Sequence, residues 1–127
     1  MGPPSFMYTY DIDRNVLTLL PRANPTDAER DALYQSIVAD PRVPERAMVI
    51  LDLRQMHVPA DLADVEHRAR KMVAGLGPKL GAVCAVIVPP EMALEAQHLQ
   101  AMSQQLGTRI ALFHGDSDAR NWIARFS

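Results

Sequence analysis

Between Ile37 and Met102 the chain holds no serine, threonine or tyrosine. A hydroxyl nucleophile on any central segment is thereby excluded, and no G-x-S-x-G elbow occurs elsewhere. Cysteine is reduced to one residue, Cys84, so an internal disulfide is impossible. Cys84 lies within the apolar run Ala82–Val88 with no base nearby in sequence, which predicts a small buried hydrophobe rather than a reactive thiol. Basic residues never form a block long enough to track a phosphate backbone, so nucleic acid is not the expected partner. Apolar runs fall far short of the ~18 residues of a membrane span. Aromatics are 6% of the chain and form no stacking platform; Trp122 and Phe126 are expected in the core. Met1 to Phe6 has neither the basic region nor the apolar stretch of a signal peptide. Phe6 also stands where a myristoylation pattern wants Ser or Thr. A cytoplasmic location is the expectation.

What is present is an ordinary globular composition. The chain has 127 residues, 48% hydrophobic and 22% charged, with a formal net charge of −2. A chain of this size buries roughly two-thirds of its unfolded surface, enough for a core without staples. No repeat, linker or low-complexity stretch interrupts it, so a single domain over 1–127 is expected.

Two β-prone runs, Met7 to Ile12 and Val16 to Leu20, flank the polar stretch Asp13-Arg14-Asn15 and read as a hairpin. Thr26 with Glu29 forms a capping box that opens a helix. Ala28, Leu33 and Ile37 fall near helical spacing as its apolar positions, with charged Glu29, Arg30 and Asp31 between them. Pro41 and Pro44 stop it. Three continuous apolar runs then follow at Ala47–Leu53, Ala82–Val88 and Arg109–Phe113, the signature of strands buried on both faces.

Helical patterns separate these runs. Asp61 caps the first, whose stripe is Leu62, Val65, Ala69, Met72, Val73 and Leu76, ending at Gly75 or Gly77 before Pro78. The second begins near Glu91 and carries Met92, Ala96, Leu99, Met102 and Leu106 to Gly107. A last helix starts at Asp116 and buries Ala119, Trp122, Ile123 and Phe126. The order is β-β-α-β-α-β-α-β-α. It predicts an α/β fold: a mostly parallel five-stranded sheet with an N-terminal β-hairpin and helices packed on it.

Residues with chemical potential are sparse. The cluster Gly75-Leu76-Gly77-Pro78-Lys79-Leu80-Gly81 ends a helix and precedes a strand, the reverse of a phosphate loop. The histidines His57, His67, His98 and His114 form no ligand-spaced pair, and no metal or other cofactor is expected. An acid–base pair of His57 and His114 is the best case for an enzyme, and it needs both rings at one substrate. Asp52 and Arg54 alternate onto one face at a strand end, as an ion pair or the rim of a crevice. Glu66 with Arg70 and His67 with Lys71 read as a solvated helix face.

The layout of AMVILDLRQ, a loop, a helix from Asp61, a second apolar strand and a closing Phe113-His114-Gly115-Asp116 resembles the SpoIIAA-like proteins, relatives of the STAS domains of anti-sigma-factor antagonists. Asp40-Pro41-Arg42 and Leu51-Asp52-Leu53-Arg54 add to the likeness. The resemblance implies a regulatory protein-interaction module. Its antagonist branch carries a phosphorylated serine where this chain reads Pro59-Ala60-Asp61-Leu62-Ala63, so that switch is not expected here. Asp61 could imitate a fixed negative charge, but it is fully explained as a helix cap.

The same fold group is similar to SEC14-like lipid-binding domains, which implies an alternative, an apolar-ligand pocket between sheet and helices. Met48, Met56, Met72, Met92 and Met102 are the adaptable side chains that would suit it. The leading expectation is a non-enzymatic module that binds another protein through the loops Arg54 to Ala60, Pro89 to Glu91 and His114 to Asp116. Arg54, His57, Asp61 and His114 are its candidate binding residues, by analogy with open α/β sheets that bind at strand carboxyl ends.

Overall fold

The computed structural model describes residues 5–59 and 61–126. Strand β1 (Phe6–Asp11) turns into β2 (Val16–Pro21) through a loop in which the Asp11 carboxylate accepts the backbone N–H groups of Asp13 and Arg14. Such an Asx-type turn explains why a short polar stretch suffices there. Helix α1 (Asp27–Ala39) follows, then β3 (Ala47–Asp52), α2 (Leu62–Leu76) and β4 (Leu80–Ile87). Helices α3 (Ala93–Ala101) and α4 (Ser103–Leu106), strand β5 (Arg109–Phe113) and α5 (Asp116–Ala124) complete the chain.

The strands lie in the order β1-β2-β3-β4-β5. β1 is antiparallel to β2, and the β2–β3, β3–β4 and β4–β5 pairs are parallel. The sheet is therefore mixed, a correction to the mostly parallel sheet expected: the hairpin supplies an antiparallel edge. Alternation splits the strands cleanly between two cores. Leu17, Leu19, Val49, Cys84, Val86 and Ile110 face α1, α2, α3 and α4. Val16, Met48, Ile50, Val83, Ala85 and Ile87 face α5 alone, through Ala119 and Ile123. Cys84 is fully buried, and burial pushes its thiol up to about 12, which keeps it protonated.

Local chemistry accounts for most boundaries. Thr26 and Glu29 make the reciprocal capping box at α1. Asp40 closes α1 in an extended conformation ahead of Pro41, and its carboxylate takes Arg42 and the Tyr8 hydroxyl. These bonds, Arg42's first, hold the Asp40 carboxyl well below the usual carboxylate range. Gly77 ends α2 at φ 53°, a left-handed conformation suited to glycine. A β-carbon at Gly75 would stand 2.6 Å from the Tyr34 ring, so this glycine seats α2 against α1.

Lys79, the one base in the glycine cluster, donates to the carbonyls of Asp40 and Val43. It is spent on tying the end of α1, not on an anion.

Four expectations are corrected. The single helix expected from Glu91 to Leu106 is two: Ser103 donates to the Gln100 carbonyl and accepts the Ile110 N–H, diverting the backbone at Met102. Leu62, placed in the α2 stripe, is 47% exposed: it opens the helix, and the buried face begins at Val65. Phe126 is 42% exposed; it stacks edge-on to Trp122, with the Arg109 guanidinium 5.9 Å from its ring, beyond the end of α5. On α1, Ala28 is exposed, and the inward stripe is Arg30, Tyr34 and Ile37.

Candidate functional site

The loops at the carboxyl ends of the strands carry the residues singled out from sequence. Arg54 folds back on Asp52, with Nε and Nη2 donating to its two carboxylate oxygens at 3.0 and 2.7 Å. Burial pushes the Asp52 carboxyl up, but the Arg54 bonds outweigh it and hold its pKa below the ordinary value. Asp61 accepts the Asp64 N–H at 2.7 Å as the N-cap of α2, the role expected of it. Its neighbour Ala60, the end of one expected loop, lies outside the described residues.

His57 is exposed, and its backbone N–H donates to Ala23 beside the bridge that joins Ala23 to Met56. His114 places Nδ1 3.3 Å from the Val88 carbonyl. The two histidines leave the sheet after β3 and β5, with β4 between them, about 10 Å of backbone at ~4.8 Å per strand. Arg54, Asp61 and His114 each engage a neighbour through the side chain, and His57 does so through its backbone N–H. His67 and His98, by contrast, are tied across helices, each 2.9 Å from a carboxylate of Asp27 and Glu66 respectively.

A different site lies just behind this rim. Beneath α2, between the sheet and the helix layer, is a cavity of about 70 Å³. Leu51, Leu53, Val65, Ala69, Met72, Met92, Ala96 and Leu99 form most of its wall, closed at the α1 side by Phe6 and Tyr34. Phe6 and Tyr34 meet edge to face at 5.9 Å, which fixes that end. Three of the five methionines expected to suit a pocket, Met56, Met72 and Met92, line it. Met48 sits on the opposite face of the sheet, and Met102 packs in the helix-side core.

Two arginines enter this apolar wall. Arg30 is 5% exposed, and its Nη1 is 3.6 Å from Asp27, a carboxylate shared with His67. Among the described residues its Nη2 is buried without a hydrogen-bond partner. Arg68 is bound more fully, by Asp64 through Nε at 3.0 Å and by Asn24 through Nη2 at 2.8 Å, with Nη1 3.6 Å from Met56 Sδ. Burial first, then the Arg68 charge, hold the Arg30 pKa below its ordinary value, against the pull of Asp27 and Asp64. Arg30 nonetheless remains a cation, because arginine does not lose its proton in proteins.

The spacing of Ala28, Leu33 and Ile37 leaves Arg30 among the charged residues between the apolar positions. The signal that finds it is the i, i+4, i+7 spacing of Arg30, Tyr34 and Ile37, which makes it part of the buried face. Leu51, Met56, Pro59, Arg68 and Glu95 are the lining residues that keep partial contact with solvent. Among the described residues no three His, Cys, Asp or Glu side chains form a metal-binding group, and no helix is long and apolar enough to cross a membrane. Comparison of the chain with family models, curated proteins and solved structures gives no match.

Proposed function

We propose that the chain is a binding module, not an enzyme, whose ligand is a small and largely apolar molecule held in the cavity beneath α2. The observation that carries this reading is an apolar cavity of about 70 Å³ opening beside the strand carboxyl ends, with methionines in its wall. This space is about half the size of the ~150 Å³ cavity that stays dry and binds benzene in another protein. Apolar walls give water little to bond to, so a hydrocarbon guest has an advantage there. Kinship with SpoIIAA-like and SEC14-like domains is part of the proposal, supported by the succession of strands and helices.

The test is an NMR titration with isobutanol, read at the methyl groups of Met72, Met92 and Ala96. Saturable shifts confined to these methyls are expected, with Ala96→Leu abolishing them by filling the space. Shifts absent in the wild type, or unchanged in Ala96→Leu, would overturn the reading.

A second reading places a protein partner on the rim. It is favoured by Val58 and Leu62, both 47% exposed, in the same loop region as the exposed Arg54 and His57. Apolar side chains on a charged rim suit a protein contact. Replacing both by serine is expected to abolish capture of such a partner while leaving isobutanol binding intact; capture that survives the double substitution would count against the rim.

A further inference from the structure

The sheet ends in β1 on one side and β5 on the other, and the chain treats these two edges differently. On β5 its own side chains cap Ile110: the N–H donates to the Ser103 hydroxyl at 3.2 Å, and the carbonyl accepts the Gln100 amide at 3.4 Å. On β1 the register fixes which groups point outward. Arg22 donates its N–H to the Ser5 carbonyl, so Ser5 and Arg22 are a hydrogen-bonded pair. Alternation makes Met7–Leu20, Thr9–Thr18 and Asp11–Val16 the next such pairs. Phe6, Tyr8 and Tyr10 therefore turn their N–H and C=O groups away from β2, and among the described residues no group caps them. From Phe6 to Tyr10 the strand holds no proline, lysine or other charge, the usual devices that keep an exposed edge from pairing.

We infer that β1 is the interface between two copies of this chain, paired antiparallel about a two-fold axis at Tyr8 so that their sheets join into one. The pairing uses the backbone edge, not the cavity. An axis at Tyr8 sets Tyr8 against its own copy, Phe6 against Tyr10, and Met7 against Thr9. Each outward-facing residue then exchanges both hydrogen bonds with its opposite number. Aromatic side chains stand opposite aromatic side chains on the face that packs with the helices, a favourable cross-strand match.

The charges nearest the axis match as well. Asp40 accepts the Tyr8 hydroxyl at 2.8 Å and holds Arg42, whose side chain is 69% exposed. Two copies thus bring two acids and two bases together, not a cluster of one sign. An extended segment of another protein would need no such symmetry in the strand; a second copy does.

Sedimentation equilibrium of the intact chain is the first test. The mass is expected to rise from one chain towards two as the concentration approaches about 1 mM, the range of a small interface. Amide exchange over the same series reads the register: protection at Phe6, Tyr8 and Tyr10 should grow about tenfold, while Met7 and Thr9 stay protected throughout. Tyr8→Pro removes the donor at the axis, where an edge strand tolerates proline, and should weaken association at least about tenfold. If that variant does not fold, Tyr8→Cys serves. Oxidation should link its two chains at the axis, and Thr9→Cys, offset from its own copy, should link far more slowly. The buried Cys84 takes no part. A dimer whose Phe6, Tyr8 and Tyr10 amides exchange freely, or faster linking through Thr9→Cys, would overturn the interface. A mass of one chain at every concentration would do the same and leave β1 to an extended segment of another protein.

Discussion

The rim at the strand ends and the cavity behind it are built from the same kinds of residue but treat their charges oppositely. On the rim, Arg54 closes on Asp52 two positions earlier and Asp61 closes on the backbone of Asp64. Such short-range pairs satisfy a charge inside its own loop, leaving it little to offer a ligand. Behind the rim, Arg30 is held by Asp27 through Nη1, while its Nη2 is buried without an acceptor among the described residues. Burial removes the water that satisfies an exposed guanidinium, so the arginine in the cavity wall carries a desolvation cost that the rim arginine does not.

Four substitutions break or sharpen this contrast. Met92→Ala, in a cavity wall 1% exposed, is expected to cost about 2–5 kcal/mol in denaturant unfolding and to admit larger alcohols than isobutanol. A cost below about 1 kcal/mol would mean that the wall is not close-packed. Asp52→Asn comes next, at about 1–2 kcal/mol near pH 7, for the loss of charged hydrogen bonds to Arg54.

The sign of its pH dependence follows from the lowered Asp52 pKa. The carboxylate stabilises the fold above its unfolded value, ~4, and that contribution is lost as the pH falls through the lower folded value. The stability gap between wild type and Asp52→Asn should therefore be full at pH 7 and close below about pH 4. A gap that widens in acid would contradict the pairing.

Asp61→Ala should cost about 1 kcal/mol as a lost helix cap and leave isobutanol affinity unchanged. A changed affinity would place Asp61 in the site after all. His57→Ala, on an exposed side chain, is expected to shift stability by less than about 0.5 kcal/mol. A larger loss would show that the rim carries more structure than its exposure indicates.

The parts of this fold legible in the sequence were those set by neighbours along the chain. The Thr26–Glu29 capping box, the Asp61 cap and the Pro41 stop are local rules, and each element they bound is present. Apolar runs such as Ala47–Leu53 marked buried strands for the same reason, since burial on both faces removes the alternation.

What was not legible depends on contacts across the fold. Arg30 reads as one of three consecutive charged residues between apolar positions until Tyr34 and Ile37 fix which side of α1 is buried. The break at Met102 depends on Ser103 meeting Ile110, seven residues on. The cavity itself is a property of how α1, α2 and α3 fail to fill the space above the sheet, and no local pattern encodes a void. The methionines hinted at it, though only three of the five named sit there.

The most direct test of the central claim is a crystal structure of the protein grown with isobutanol, since it sets rim against cavity in one experiment. The expected result is the alcohol beneath α2, with its methyl groups between Met72 and Met92. Isobutanol bound instead at Arg54 or His114, with the cavity unchanged, would contradict it.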